Sequence, residues 1–396
     1  MNDFLAGFRS PAGLLMLVAS TLFAVGVVAV FSASGARAGL EEGVALSAQE
    51  ALSGDGLARH YAATYAVKQA VWGALGIAAM ALLASLPAEL WRRAAPWLLG
   101  FAAVLLVLVI VGPLGVESKG ARRWLRLGPV TIQPAEFAKI ALVLFMARML
   151  AENRLRHTSF TKGFLPPAAV LGVFAALILL EKDLGMTALV CGACFSMWIL
   201  ARLHSLYLAA VAVAGLAGGV LLVLTQSYRV NRILAFLDPD KYALTHAYQL
   251  NQSLIAVGSG GMWGQGLGMS LQKYHFLSEA HTDFIFAIVS EELGFVGASA
   301  VVLLYLAFLS LGIRTALRAP DYFSALAAGG LTLLVGIGAF INFFVVLGLA
   351  PTKGLTLPFL SYGGSSILAS FIVAGLLAGI ANSSAEPGLA AEGSHA

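Results

Sequence analysis

Between Tyr248 and Gly294 the chain reads YQLNQSLIAVGSGGMWGQGLGMSLQKYHFLSEAHTDFIFAIVSEELG, a stretch unlike the apolar runs around it. It closes the longest hydrophilic interval and runs straight into an apolar segment. Glycines at 258, 260, 261, 264, 266 and 268 argue against a regular helix throughout, because each adds backbone freedom that a helix must remove. Glu279, His281, Thr282 and Asp283 follow, then the apolar run, so Asp283 falls at a helix N-terminus near a membrane surface. Glu291 and Glu292 lie about two to three turns deeper in the same span. Carboxylates in hydrocarbon are costly, so each of these acids is a functional candidate.

The surrounding composition sets the class. Of 396 residues, 59% are hydrophobic and 11% charged, against about 25% charged in soluble domains. Mean hydropathy is +0.87. Backbone polar groups in lipid must be satisfied inside helices or closed barrels. The apolar runs are continuous rather than alternating, which favours helices over barrel strands. The fold class expected is therefore an all-α polytopic membrane protein. A net charge of +4 with no concentrated basic patch gives no sign of nucleic-acid binding. Cys191 and Cys194 sit three apart within an apolar run and read as small core residues. The first apolar run is long enough to span and to stay, so no cleavable signal is expected.

Ten spans are expected, near Leu14–Ser32, Tyr65–Leu86, Ala95–Val111, Pro134–Met149, Leu165–Leu180, Leu184–Leu200, Leu206–Leu224, Asp283–Leu311, Ala325–Leu347 and Ser366–Ala381. They form one transmembrane domain over residues 1–381, with a disordered tail over 382–396. A cytoplasmic N-terminus puts Arg9, Arg92, Arg93, Arg154, Arg156, Lys162, Arg202, Arg314 and Arg318 inside, as the positive-inside rule requires. Both termini are then cytoplasmic, and the large loop between the seventh and eighth spans faces outward. One loop breaks the rule. ESKGARRWLRLGPVTIQPAE carries Lys119, Arg122, Arg123 and Arg126 on the outer side. Either its neighbours overrule a short loop, or it binds an anion such as a lipid phosphate.

Other polar groups join it: Glu136 with Lys139, Glu181 with Asp183, and the broken segment PTKGLTLPFLSYGGSS over 351–366. Cations and carboxylates on one membrane face fit two classes of function. One is enzymatic work on a lipid-linked anionic substrate, with a carboxylate as base and basic residues holding a phosphorylated leaving group. The other is transport, in which intramembrane acids couple ions or line a path. His246, His275 and His281 show no metal-ligand spacing, and the glycines form no dinucleotide fingerprint. Asp283 itself reads either as a helix N-cap or as a base. Glu291 and Glu292 favour a structural, hydrogen-bonded role.

The segments GARRWLRLGPVTIQPAEFAK, EKDLG, YQLNQSLIAVGSGGMWGQGLGMSLQKYHFLSEAHTDFIFAIVSEELGFVG and PTKGLTLPFLSYGGSS resemble the SEDS family of polytopic peptidoglycan polymerases. AHTDFIFAI and LAPTKGLTLPFLSYGGSS are closer to its division-type branch than to its elongation-type branch. The resemblance implies a ten-helix glycosyltransferase of the bacterial inner membrane and division septum. Such an enzyme polymerises lipid II at the outer face and releases undecaprenyl diphosphate. It implies Asp283 as the catalytic base. Lys119, Arg122 and Arg123 are implied as diphosphate-binding, with Glu136, Lys139, Asp183, His281 and Thr282 also lining the substrate site. A class B penicillin-binding transpeptidase and other division membrane proteins are the implied partners. No cofactor is implied as obligatory, and a divalent cation is left open. A lipid II flippase using the same lipid is the alternative. Ser278, Lys182 and Gly338 depart from the family's usual residues, and none of them is the proposed base.

Overall fold

The computed structural model describes residues 10–34, 56–118, 120–128, 130–274, 276–277 and 279–384. Long apolar runs become helices because only internal hydrogen bonds satisfy the backbone in lipid. In chain order these are α1 Pro11–Ser34, α2 Gly56–Ala84, α3 Ala88–Val111, α4 Pro134–Glu152, α5 Leu165–Leu180, α6 Leu184–Leu200 and α7 Ser205–Leu224. After them come α8 Ser227–Leu237, α9 Tyr248–Ser259, α10 Ile285–Arg318, α11 Tyr322–Val346 and α12 Gly364–Ser383. Among the described residues, eight helical segments are long and apolar enough to cross a membrane. Helix α4, with 19 residues and internal charges, and α6, with 17, occupy the other two positions of the expected ten.

Helix α12 is the hub, packing on α2 and α1 and also meeting α4, α10 and α11. Gly375 and Gly379 make this possible: a Cβ there would stand 2.7 Å from Met80 O and 2.9 Å from Leu83 O. The pair forms a G-x-x-x-G on the face toward α2, where small residues let two backbones approach. Helix α7 lies at the opposite extreme, with no buried residue.

Two features differ from the sequence reading. First, the basic loop is a three-stranded antiparallel sheet, β1 Gly115–Ser118, β2 Ala121–Leu127 and β3 Val130–Ile132, in the order β1-β2-β3. The all-α polytopic fold expected from the sequence stands, with this one small sheet built into a loop. Gly120 and Gly128, both at positive φ, turn the chain between strands, and Ala121 and Leu125 are buried. Second, the eighth span starts at Ile285 and is broken at Gly294, whose φ and ψ are 66° and −167°. The glycine-rich loop fills the break. Gln265 N and Gly266 N donate to Glu291 O and Glu292 O, while Phe295 N and Val296 N donate to Gly261 O and Met262 O. A Cβ on Gly264 would lie 2.1 Å from Glu292 O, so only glycine lets the two backbones meet.

Candidate active site

Asp283 stands two residues before α10, whose N-cap is Phe284. Its position is set through the backbone. Tyr362 N donates to His281 O at 2.9 Å, Ser361 Oγ to Thr282 O at 2.6 Å, and Asn342 Nδ2 to Asp283 O at 2.8 Å. Three consecutive carbonyls are thus held by α11 and by the 351–366 segment. Asn342 Nδ2 also donates to Leu355 O at 2.8 Å, and Ser361 Oγ accepts from Leu357 N at 2.8 Å. The Asp283 carboxylate is half-buried and faces Gly354, where a Cβ would come within 3.0 Å of Oδ2. His281 is buried, and its ring meets those of Tyr65 and Tyr362, each at 5.6 Å between centroids. Thr282 Oγ1 donates to Glu279 Oε2 at 3.0 Å.

A second cluster lies across the 353–357 segment. Arg123 Nη1 is 3.5 Å from Asp183 Oδ2, and its other nitrogens donate to Glu181 O and Lys182 O. Lys182, at positive φ, donates from Nζ to Gly120 O at 2.9 Å, tying the sheet to the α5–α6 turn. Asp183 caps α6 by accepting from Met186 N at 3.0 Å. Burial raises the Asp183 carboxyl above the usual range, partly opposed by Arg123. Glu181 is pushed up to about 8 by burial and by Asp183 beside it. Both Glu181 carboxyl oxygens are buried with no hydrogen-bond partner among the described residues, which suits a neutral acid. Glu136 and Lys139 form an ion pair at 2.5 Å, and the charge of Glu136 also acts on Asp183.

The two clusters meet through one extended segment. Leu355 packs on Gly185 at the start of α6, Thr356 Oγ1 lies 2.8 Å from Ser366 Oγ, and Ser365 Oγ accepts from Gln133 N just before α4. Lys353 sits in this segment next to Gly354, half-buried and in no ion pair among the described residues. Burial lowers the pKa of its ammonium. Of the residues implied by resemblance, His281, Thr282 and Asp283 are held by α11 and the 351–366 segment, and Arg123, Glu136, Lys139 and Asp183 gather at the α5–α6 turn and the start of α4. Arg122 is placed differently. Its guanidinium donates to Ile110 O, Gly112 O and Gly115 O, closing the C-terminus of α3. Lys119 lies outside the described residues.

Glu291 and Glu292 are anchors. Glu291 accepts from Ser270 Oγ and Leu271 N. Glu292 accepts from Ser32 Oγ and pairs with Lys273 Nζ at 3.1 Å. Lys353 and Asn342 escaped single-residue attention in the sequence. The signal for Asn342 was a lone amide in an apolar helix, next to a broken segment whose carbonyls need donors.

Residues 12–386 match the family described as cell cycle protein, FtsW/RodA/SpoVE. Stage V sporulation protein E of Bacillus subtilis (strain 168) is 37% identical over 368 residues, covering 93% of this chain and 96% of that protein. The probable peptidoglycan glycosyltransferase FtsW of Geobacter metallireducens is 39% identical over 365 residues, covering 92% of each. Among solved structures, a chain of a peptidoglycan synthase complex that coordinates polymerization and crosslinking superposes with a TM-score of 0.73. It is 27% identical, and 94% of this chain and 98% of that one are covered. RodA of Thermus thermophilus gives a TM-score of 0.66 at 28% identity, covering 93% of this chain and 95% of RodA. With its apolar helices, its clamped H-T-D segment and a match over nearly its whole length, the chain belongs to the FtsW/RodA/SpoVE family of multi-pass membrane proteins.

Proposed function

We propose that this protein is a peptidoglycan glycosyltransferase that polymerises lipid II during septal wall synthesis. The observation that carries the reading is the clamp on His281, Thr282 and Asp283, which fixes the position of a half-buried carboxylate through three consecutive backbone carbonyls. Asp283 removes the proton from the acceptor sugar's 4-hydroxyl, a role worth about 10²–10⁴-fold in rate. The oxygen forms a bond to the anomeric carbon of the lipid-linked glycan. The bond from that carbon to the diphosphate oxygen breaks, and undecaprenyl diphosphate departs with the electron pair. Lys353 and Arg123 stabilise the charge that builds on the leaving diphosphate. Glu136, Lys139 and Asp183 keep Arg123 and the floor of the site in place, and Arg122 fixes the sheet that carries Arg123. The chemistry so written draws on side chains alone and calls on no cofactor.

The division-type assignment is supported by relatives named FtsW at 36% to 39% identity, against 28% for a solved RodA. In this reading the Asp283 end of the bundle faces outward from the inner membrane at the septum. The partner is a single-span class B penicillin-binding transpeptidase, in keeping with the polymerization and crosslinking complex that the fold resembles. The competing flippase reading separates cleanly. Purified protein with its transpeptidase, supplied with lipid II in detergent, makes glycan strands if it is the polymerase. Lipid II that crosses vesicle bilayers without any strands forming would support transport instead.

A further inference from the structure

A second built site lies at the other end of the bundle. There α4 and α6 finish and α11 begins, leaving a cleft of about 500 Å³ lined by Arg154, His157, Thr158, Ala201, Arg202 and Tyr322, with Leu155 and Leu200 at its edge. Helix α6 separates it from the Asp183 cluster by 17 residues, about 25 Å at 1.5 Å per residue. Its frame is fixed. The His157 ring is buried and bridges Leu150 O at 2.9 Å and Ala201 O at 2.7 Å. Arg154 stacks over the Tyr322 ring, 4.6 Å from the centroid, which orients the guanidinium without neutralising it.

Both arginines are left with their charge. Among the described residues, neither Arg154 nor Arg202 makes an ion pair or a side-chain hydrogen bond. The nearest acids in sequence are engaged elsewhere: Glu152 pairs with Arg148 at 2.9 Å, and Asp321 accepts from Ser324 N and Oγ. Carbonyls at the end of α6 are taken too. Ala201 O accepts from Tyr322 Oη as well as meeting His157, Trp198 O accepts from Leu203 N, and Ile199 O from Arg202 N. The rim is apolar and open, with Leu155 97% exposed and Leu200 52%. Two uncompensated guanidiniums at the end of a bundle, set in an apolar rim, match an anionic headgroup whose acyl chains run along the helices.

We propose that this cleft binds the phosphodiester headgroup of an anionic membrane lipid. The site is expected on the cytoplasmic leaflet, since the basic residues place this end inside. It is independent of the proposed polymerase chemistry.

The test uses the full chain in neutral detergent and native mass spectrometry of retained lipid, with dioleoylphosphatidylglycerol offered against dioleoylphosphatidylcholine. Wild type retains phosphatidylglycerol preferentially. Replacing both arginines (Arg154→Gln with Arg202→Gln) lowers its apparent affinity by roughly 30-fold, about fivefold for each cation at a membrane surface. The Arg154→Lys, Arg202→Lys pair keeps the charge, loses the planar fork, and falls between the two. A charge-matched control, Arg92→Gln with Arg93→Gln, alters arginines already facing Glu89 and leaves retention at the wild-type level. Equal losses in both Gln doubles would mean a diffuse charge effect and overturn the site. So would wild-type retention in the Arg154/Arg202 double, or displacement of the lipid by inorganic phosphate alone, which would make it a free-anion site. Should the Gln double fail to fold, the Lys pair decides the matter by the same criteria.

Discussion

Asn342→Ala is the sharpest probe of the clamp. Asn342 is 2% exposed, and its Nδ2 donates to Asp283 O and to Leu355 O, each at 2.8 Å. Its Oδ1 has no partner among the described residues, so the amide works here purely as a donor. Alanine leaves the buried Leu355 carbonyl unsatisfied and takes the donor from the part-buried Asp283 carbonyl. The first costs about 1–3 kcal/mol, and the second less because it is partly open to water. Tyr362 N and Ser361 Oγ still hold His281 and Thr282, so the segment stays in place but its last residue is released. A displacement near 1 Å costs about 100-fold in rate. The expected outcome in a lipid II polymerisation assay is therefore a fall in kcat of roughly 10-fold to 100-fold, with KM little changed, because the lost constraint acts on the reacting geometry. Asn342→Asp keeps the shape but removes both donors and adds a like charge near Asp283, so it falls further. Ser361→Ala gives a smaller loss, and the double variant shows coupling rather than additivity. An Asn342→Ala protein that folds normally and retains wild-type kcat would refute the clamp.

Three further outcomes follow from the packing. Glu181 has its carboxyl raised to about 8, so the folded chain favours the neutral acid. Stability is then greatest below the unfolded value near 4.5, falls as pH rises through the window to about 8, and levels off above it. Glu181→Gln should flatten the decline of Tm with pH across that window. Breaking the buried Lys273–Glu292 pair with Lys273→Met should cost about 3–5 kcal/mol in unfolding, because it leaves Glu292 uncompensated, and adding Glu292→Gln should recover part of it. At the hub, Gly375→Leu drives a side chain toward Met80 O, 2.7 Å from the added Cβ. Thermal unfolding should show a loss of about 1–3 kcal/mol or more from overpacking.

The helices were the most readable part of the chain, since continuous apolar runs leave the backbone no other solution in lipid. Asp283 was legible for a related reason: an acid at the start of an apolar run is costly and stands out. The break in α10 was only half visible. Glycines at 260, 261, 264 and 266 signalled irregular backbone, but the bonds from Gln265 N and Gly266 N to the carbonyls of Glu291 and Glu292 are a tertiary fact. The sheet at 115–132 was missed because its strands are short and mostly exposed and β2 shows no clean alternation, though Gly120 and Gly128 bracketed that strand. Arg122 and Arg123 are adjacent and look alike in sequence. Strand alternation sends them to opposite neighbours: one to the end of α3, the other to Asp183. Lys353 gave no periodic signal at all, and only its place in the chain next to Gly354, the residue that Asp283 faces, singles it out.

The most direct test of Asp283 as the base is polymerisation of lipid II by the purified protein with its transpeptidase, wild type against Asp283→Ala. Both proteins are first matched for thermal unfolding, so that a folding defect cannot stand in for lost chemistry. Glycan strands from wild type, and a loss of at least about 100-fold in the alanine variant, are the expected result. Strands formed at the wild-type rate by a well-folded Asp283→Ala protein would contradict it.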